Sequence, residues 1–167
     1  MADDQQETHW LYTALKKVEF LEFCSFGEIE ELIRGLTKKR FPKGETIVRE
    51  GDPGDYLFLL ASGEVSIRAK TGLLSSREIV RLGPGDYFGE MALVTREPRS
   101  ATVASTQDCE AFLLFSTDFR KILDKNADLA RRVDEHIARR RSDRELELRR
   151  RGSAGGLWGR LRSLFGR

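Results

Sequence analysis

Cysteine and histidine are almost missing from this chain, with two of each in 167 residues. Cys24 and Cys109 stand far apart, have no metal-site spacing, and read as the reduced thiols of a cytoplasmic protein. His9 and His136 lie near opposite ends, so no histidine-based metal cluster or catalytic dyad close in sequence is visible. Both also lie outside the central strand-forming region, where a jelly-roll metalloenzyme would need its ligands. The expectation is a protein without a metal and without catalysis. Long apolar runs are missing too: nothing approaches the ~18 to 20 residues that a membrane span requires. The acidic, polar start, Met1 to Thr8, is no signal peptide. A large excess of one charge is also lacking, with 29 basic and 27 acidic residues. A uniformly basic nucleic-acid binder is thereby excluded.

The small net charge conceals an uneven distribution. Residues 149–167 hold six arginines and no acid, so the rest carries 23 basic residues against 27 acidic, a net of −4. The length suits one domain able to bury a core without cross-links. Residues 1–9 read as a disordered N-terminus, 10–148 as the domain, 149–156 as a basic, glycine-rich linker, and 157–167 as an amphipathic basic tail.

Within the domain, Trp10, Leu11, Leu15, Val18 and Phe20 predict a short helix. Ser25 and Glu28 have capping-box spacing ahead of Ile29, Leu32, Ile33 and Leu36, which share one helical face. From Lys38 to Ser116, short runs of β-formers alternate with turn residues. The runs are 46–49, 56–61, 64–69, 78–82, 101–105 and 110–115, separated by Pro42-Lys43-Gly44, residues 51–55, Ser62-Gly63, Thr71-Gly72 and residues 83–86. This pattern predicts an antiparallel sandwich or barrel. Val65 and Ile67 fall on one strand face. After Phe115, Ser116 or Thr117 is placed to cap a helix over 118–125. Asn126 is placed to cap a longer helix with Leu129, Ala130, Val133, Ile137 and Ala138 inward, its helix formers continuing to about Arg151.

One segment interrupts the strand rhythm. Phe88-Gly89-Glu90-Met91-Ala92-Leu93-Val94 predicts a short helix among strands, followed by the loop Thr95 to Ser100. Gly89 permits close backbone approach at the head of that helix, where free N–H groups favour an anion. Arg99 offers a planar fork suited to phosphate oxygens. Pro98 stiffens the loop and Ser100 adds a hydroxyl donor. Glu90, when ionised, only accepts hydrogen bonds, and a sugar hydroxyl is a fitting donor for it. Together these residues read as a socket for one phosphate and one sugar; a plain Arg99–Glu90 ion pair is the simpler alternative.

Phe88-Gly89-Glu90-Met91-Ala92-Leu93, with Pro98-Arg99-Ser100-Ala101-Thr102-Val103, closely resembles the phosphate-binding cassette of cyclic nucleotide-binding domains. These occur in the catabolite activator protein, in regulatory subunits of cAMP-dependent kinase and in cyclic nucleotide-gated channels. The resemblance extends over about residues 10 to 148. It implies an α+β fold: a jelly-roll-like β-roll with N-terminal helices, an inserted cassette helix and C-terminal lid helices. It implies that Glu90 binds the ribose 2′-hydroxyl and Arg99 the cyclic phosphate. Ser100 and the cassette backbone at Gly89, Met91, Ala92 and Ala101 would complete the shell. For the base it implies Ile67 on the sheet side and Arg140 on the lid, with His136, Ile137 and Arg139 as register alternatives. Ile67 in core packing and Arg140 on a solvated face are the simpler readings. Ser100 leaves the nucleotide open between cAMP, favoured, and cGMP.

The same resemblance implies a downstream effector. The sequence has no helix-turn-helix, channel pore or second cassette. It therefore reads as a stand-alone sensor whose C-terminal helix and tail signal to a separate protein partner, without nucleic acid. The tail places Trp158, Leu161 and Phe165 opposite Arg160, Arg162 and Arg167, fit for a partner groove or peripheral contact with an anionic membrane; a disordered end is the simpler reading, since eleven residues are too few for a stable helix alone. The competing reading is a ligand-independent adaptor.

Overall fold

The computed structural model describes residues 2–95 and 97–151. Eight strands form two four-stranded antiparallel sheets. The strands are β1 (Thr37–Phe41), β2 (Thr46–Val48), β3 (Tyr56–Ser62), β4 (Val65–Lys70), β5 (Ser76–Leu82), β6 (Tyr87–Phe88), β7 (Thr102–Ser105) and β8 (Cys109–Phe115). One sheet runs β1-β8-β3-β6 and the other β2-β7-β4-β5. Helices α1 (Ala2–Leu15), α2 (Phe26–Gly35), α3 (Ser116–Lys125) and α4 (Ala127–Arg151) flank this roll, with 3-10 segments at Glu19–Phe23 and Glu90–Leu93. This is the α+β roll that the resemblance implies.

Strand β3 shows why its sequence is apolar throughout. Leu57 and Leu59 face one way and meet Leu15, Phe20, Leu21, Ile29, Phe119 and Val133 of the helical layer. Phe58 and Leu60 face the other way and join Phe41, Val65, Ile67, Phe88 and Val103 between the sheets. A strand buried on both faces loses the alternation of a half-exposed one. The roll therefore has two cores, and the sheet carrying β3 separates them.

The helix starts follow the sequence in part. Ser25 caps α2 with the reciprocal Glu28 bond of a capping box. Asn126 caps α4, its Oδ1 accepting from the Leu129 amide at 3.0 Å. Neither Ser116 nor Thr117 caps α3: both lie inside it, and Phe115 is the N-cap residue. The Ser116 amide instead donates to the Asp55 carbonyl at 2.7 Å, so tertiary pairing replaces a side-chain cap.

The N-terminus is a correction. Residues 2–9, read as disordered, are the first part of α1. The acidic stretch is compatible with a helix, and burial of Leu11, Ala14 and Leu15 fixes its end. Glu7 adds an ion pair to Lys38 at 3.0 Å. The interrupting helix is also shorter than expected: Phe88 belongs to β6 and only Glu90–Leu93 turns. Helix α4 continues to Arg151, into the segment read as linker. The rest of that linker and the 157–167 tail lie outside the described residues. No described helix is long and apolar enough to cross a membrane.

Candidate functional site

The interrupting segment is held by the roll at both ends. Phe88 pairs with Phe58 across β6 and β3, and their rings stack at 4.5 Å. The chain then reaches Gly89, whose φ of +76° is a left-handed conformation that favours glycine. At the far end, the Arg99 amide donates to the Asp52 carbonyl, and the Arg99 carbonyl accepts from the Gly51 amide, each at 2.8 Å. This double bond to the β2–β3 loop fixes where the Arg99 side chain begins.

Arg99 turns inward and is 8% exposed. Its Nη2 donates to the Tyr56 carbonyl at 2.9 Å and its Nη1 to the Gly89 carbonyl at 3.3 Å. Its guanidinium lies over the Tyr56 and Phe58 rings, at 5.3 and 5.8 Å from their centroids. The buried Nε has no hydrogen-bond partner. No carboxylate lies within ion-pair distance of Arg99 among the described residues, so the simple Arg99–Glu90 ion pair does not form. Burial pushes the Arg99 pKa down, with Asp55, Glu90 and Asp52 opposing at longer range. A guanidinium nevertheless stays charged in proteins. The result is a buried cation, aimed and unneutralised, that an anion would satisfy.

Two glycines make room for it. A Cβ on Gly54 would overlap Arg99 Nε, and one on Gly89 would overlap Arg99 Nη1. Gly54 and the Tyr56 carbonyl are parts of the site that the sequence reading missed. Gly54 sat unremarked in a turn cluster, and a backbone carbonyl leaves no sequence signal.

Glu90 is also buried, at 7% exposure. Burial pushes its carboxyl pKa up, and hydrogen bonding at its own backbone and the charge of Arg140 partly oppose this. Arg140 arrives from α4, with Nη1 3.6 Å from Glu90 Oε1 and 3.4 Å from Met91 Sδ. Arg140 Nε also lies 3.3 Å from Glu19 Oε2, and the same oxygen is 2.9 Å from His136 Nε2. Glu19 thus ties α4 to the 3-10 segment after α1, a role the sequence reading did not find.

The other predicted site residues divide. Ser100 is exposed at the loop's end with no hydrogen-bond partner among the described residues, so its hydroxyl is available. Ala101 is buried beside the sandwich core. The Ala92 amide is already used, donating to the Gly89 carbonyl at 3.2 Å. Ile67 is 0% exposed within the core between the sheets, and core packing accounts for it. Arg139 is exposed, whereas Arg140 is the α4 residue that reaches the cassette.

Comparisons with known proteins identify the family of the chain. The family profile for the cyclic nucleotide-binding domain matches residues 38–126, over half of the chain. A cyclic nucleotide-gated potassium channel of Mesorhizobium japonicum is 38% identical over 100 residues, covering 60% of this chain and 26% of the channel. A cAMP-dependent protein kinase regulatory subunit of Yarrowia lipolytica is 39% identical over 103 residues, covering 59% of this chain and 26% of the subunit. The chain thus spans about a quarter of the length of these relatives. Among solved structures, the regulatory domain of Toxoplasma gondii PKA with cAMP superposes with a TM-score of 0.61 at 26% identity, covering 79% of this chain and 51% of that one. The chain belongs to the cyclic nucleotide-binding domain family.

Proposed function

We propose that this member of the cyclic nucleotide-binding domain family binds cAMP, with cGMP as the second candidate, at the segment from Gly89 to Ala101. The observation that carries this reading is Arg99, a buried guanidinium with an orphaned Nε and no carboxylate partner among the described residues. In this reading the cyclic phosphate supplies the missing negative charge, and Ser100 donates its free hydroxyl to a phosphate oxygen. The Glu90 carboxylate accepts from the ribose 2′-hydroxyl, and backbone groups at Gly89, Met91 and Ala101 line the remainder. A relative named for cAMP dependence and a neighbour holding cAMP support the cAMP reading, and a cGMP-dependent protein kinase of Toxoplasma gondii, 37% identical over 111 residues, keeps cGMP as the second candidate. The chain acts as a binder rather than a catalyst, needing no metal.

The output runs through α4. Arg140 touches Glu90, so a nucleotide that engages Glu90 changes what Arg140 and the helix beneath it contact. A ligand with different affinity for two placements of α4 shifts their populations. In this reading the shift is passed to a separate protein effector, which sets the chain's role as a regulatory module.

Calorimetric titration with cAMP, cGMP and the uncyclised 5′-AMP tests the reading. Saturable heat with a cyclic nucleotide, and much weaker binding of 5′-AMP, is the expected result. No heat with either cyclic nucleotide overturns it.

A further inference from the structure

We propose that the tip of the β4–β5 hairpin is a contact site for an anionic phospholipid bilayer. The proposal is independent of nucleotide binding. The loop is closed at its base: the Thr71 amide donates to the Ser75 carbonyl at 2.9 Å, and the two hydroxyls lie 2.8 Å apart. Between them Leu73 and Leu74 are 102% and 103% exposed, so nothing in the described structure covers either. Phe26, the other exposed large apolar residue among the described ones, at least packs its ring on Tyr12 at 5.2 Å. A single exposed leucine is ordinary. Two adjacent ones at the apex of a braced hairpin form an apolar point projecting from the molecule.

The charge around that point decides what it suits. From Val65 to Arg77 the sequence holds Arg68, Lys70 and Arg77 and no acid. Arg68 and Lys70 are exposed on the outer face of β4, and neither has a carboxylate within ion-pair distance among the described residues. Of the two acids beside the hairpin, Glu78 is paired with Arg81, whereas Glu50 keeps its charge against the three basic residues. Glu50 Oε2 accepts from the Lys70 amide at 2.9 Å. Glu78 accepts from Ser66 at 2.6 Å and from Arg81 at 3.0 Å. β5 is the outermost strand of its sheet, so among the described residues no further strand flanks the hairpin on that side. An apolar apex inside a basic collar complements acyl chains beneath anionic headgroups, in depth and in charge.

The test uses the full chain and vesicles of phosphatidylcholine with or without phosphatidylserine. Cosedimentation should show binding to the phosphatidylserine vesicles, weakened by at least ~10-fold in a Leu73→Ser, Leu74→Ser double variant. That variant should keep the parent's melting temperature, since neither side chain is packed. A polarity-sensitive dye on Leu74→Cys should shift to the blue with vesicles and be quenched by lipids labelled in the acyl chain; Cys24 and Cys109 are buried and should not take the dye. Three results overturn the proposal. One is no vesicle binding. Another is equal binding by parent and double variant, which would place the contact elsewhere, as in residues 157–167. The third is a dye shift that grows with protein concentration without vesicles, which would mark the hairpin as a contact between copies.

Discussion

Arg99 and Arg140 carry the same guanidinium to the same site and are treated in opposite ways. Arg99 is anchored by two main-chain hydrogen bonds, enclosed by two glycines, and given no carboxylate. Arg140 sits at 21% side-chain exposure on a helix, between the carboxylates of Glu19 and Glu90. The first arrangement is electrostatically incomplete; the second is complete, paired with one exposed carboxylate, Glu19, and one buried, Glu90. A buried charge without a partner costs stability unless something neutralises it. Arg99 therefore has the features of a preorganised anion site, whereas Arg140 has those of an exchangeable contact, able to trade one acceptor for another.

The contrast is broken most severely at Arg99. Arg99→Ala should cost roughly 3 to 5 kcal/mol of nucleotide affinity, about two to four orders of magnitude in Kd by calorimetry. Next comes its enclosure. Gly54→Ala puts a Cβ onto a guanidinium whose backbone cannot retreat, and should cost roughly 1 to 3 kcal/mol in stability, read by thermal melting, with affinity falling alongside.

Glu90 sharpens the comparison through pH. Burial raises its pKa in the folded chain, so the fold favours the protonated carboxyl. Stability associated with Glu90 is thus fullest below its unfolded pKa and is lost as pH rises through the folded one. Glu90→Gln should leave unliganded stability nearly unchanged at acid pH and raise it at neutral pH, while weakening nucleotide binding by about 1.5 to 3 kcal/mol through loss of a charged acceptor. The smallest effect belongs to the latch: Glu19→Gln should change unliganded stability by under about 1 kcal/mol, as exposed ion pairs do.

What could be read ahead of the structure divides by range in sequence. The cassette was legible because Gly89, Glu90, Arg99 and Ser100 lie within one short segment. Its enclosure was not, because Gly54 and Tyr56 come from another strand and act through space and through a carbonyl. The roll was legible from its turn residues, but β1 was not: Lys38, Lys39 and Arg40 look like a solvated loop, and they lie on an edge strand whose first four residues are exposed. β6 is only two residues long, too short for any period to register. The helix at residues 2–9 was missed because its support is tertiary, through Lys38 and the core beneath Leu11 and Leu15. Ile67, suggested for ligand contact by resemblance, is buried in the core between the sheets.

If Arg99 is a buried cation kept for an anionic ligand, its charge should burden the unliganded fold and be relieved by nucleotide. Thermal melting of the parent chain and of Arg99→Met, each with and without cAMP, tests it most directly. The methionine variant, which keeps an unbranched apolar stem and discards the charge, should melt no lower than the parent without nucleotide and gain nothing when cAMP is added, while the parent rises. A variant that melts lower than the parent and is still stabilised by cAMP would contradict it.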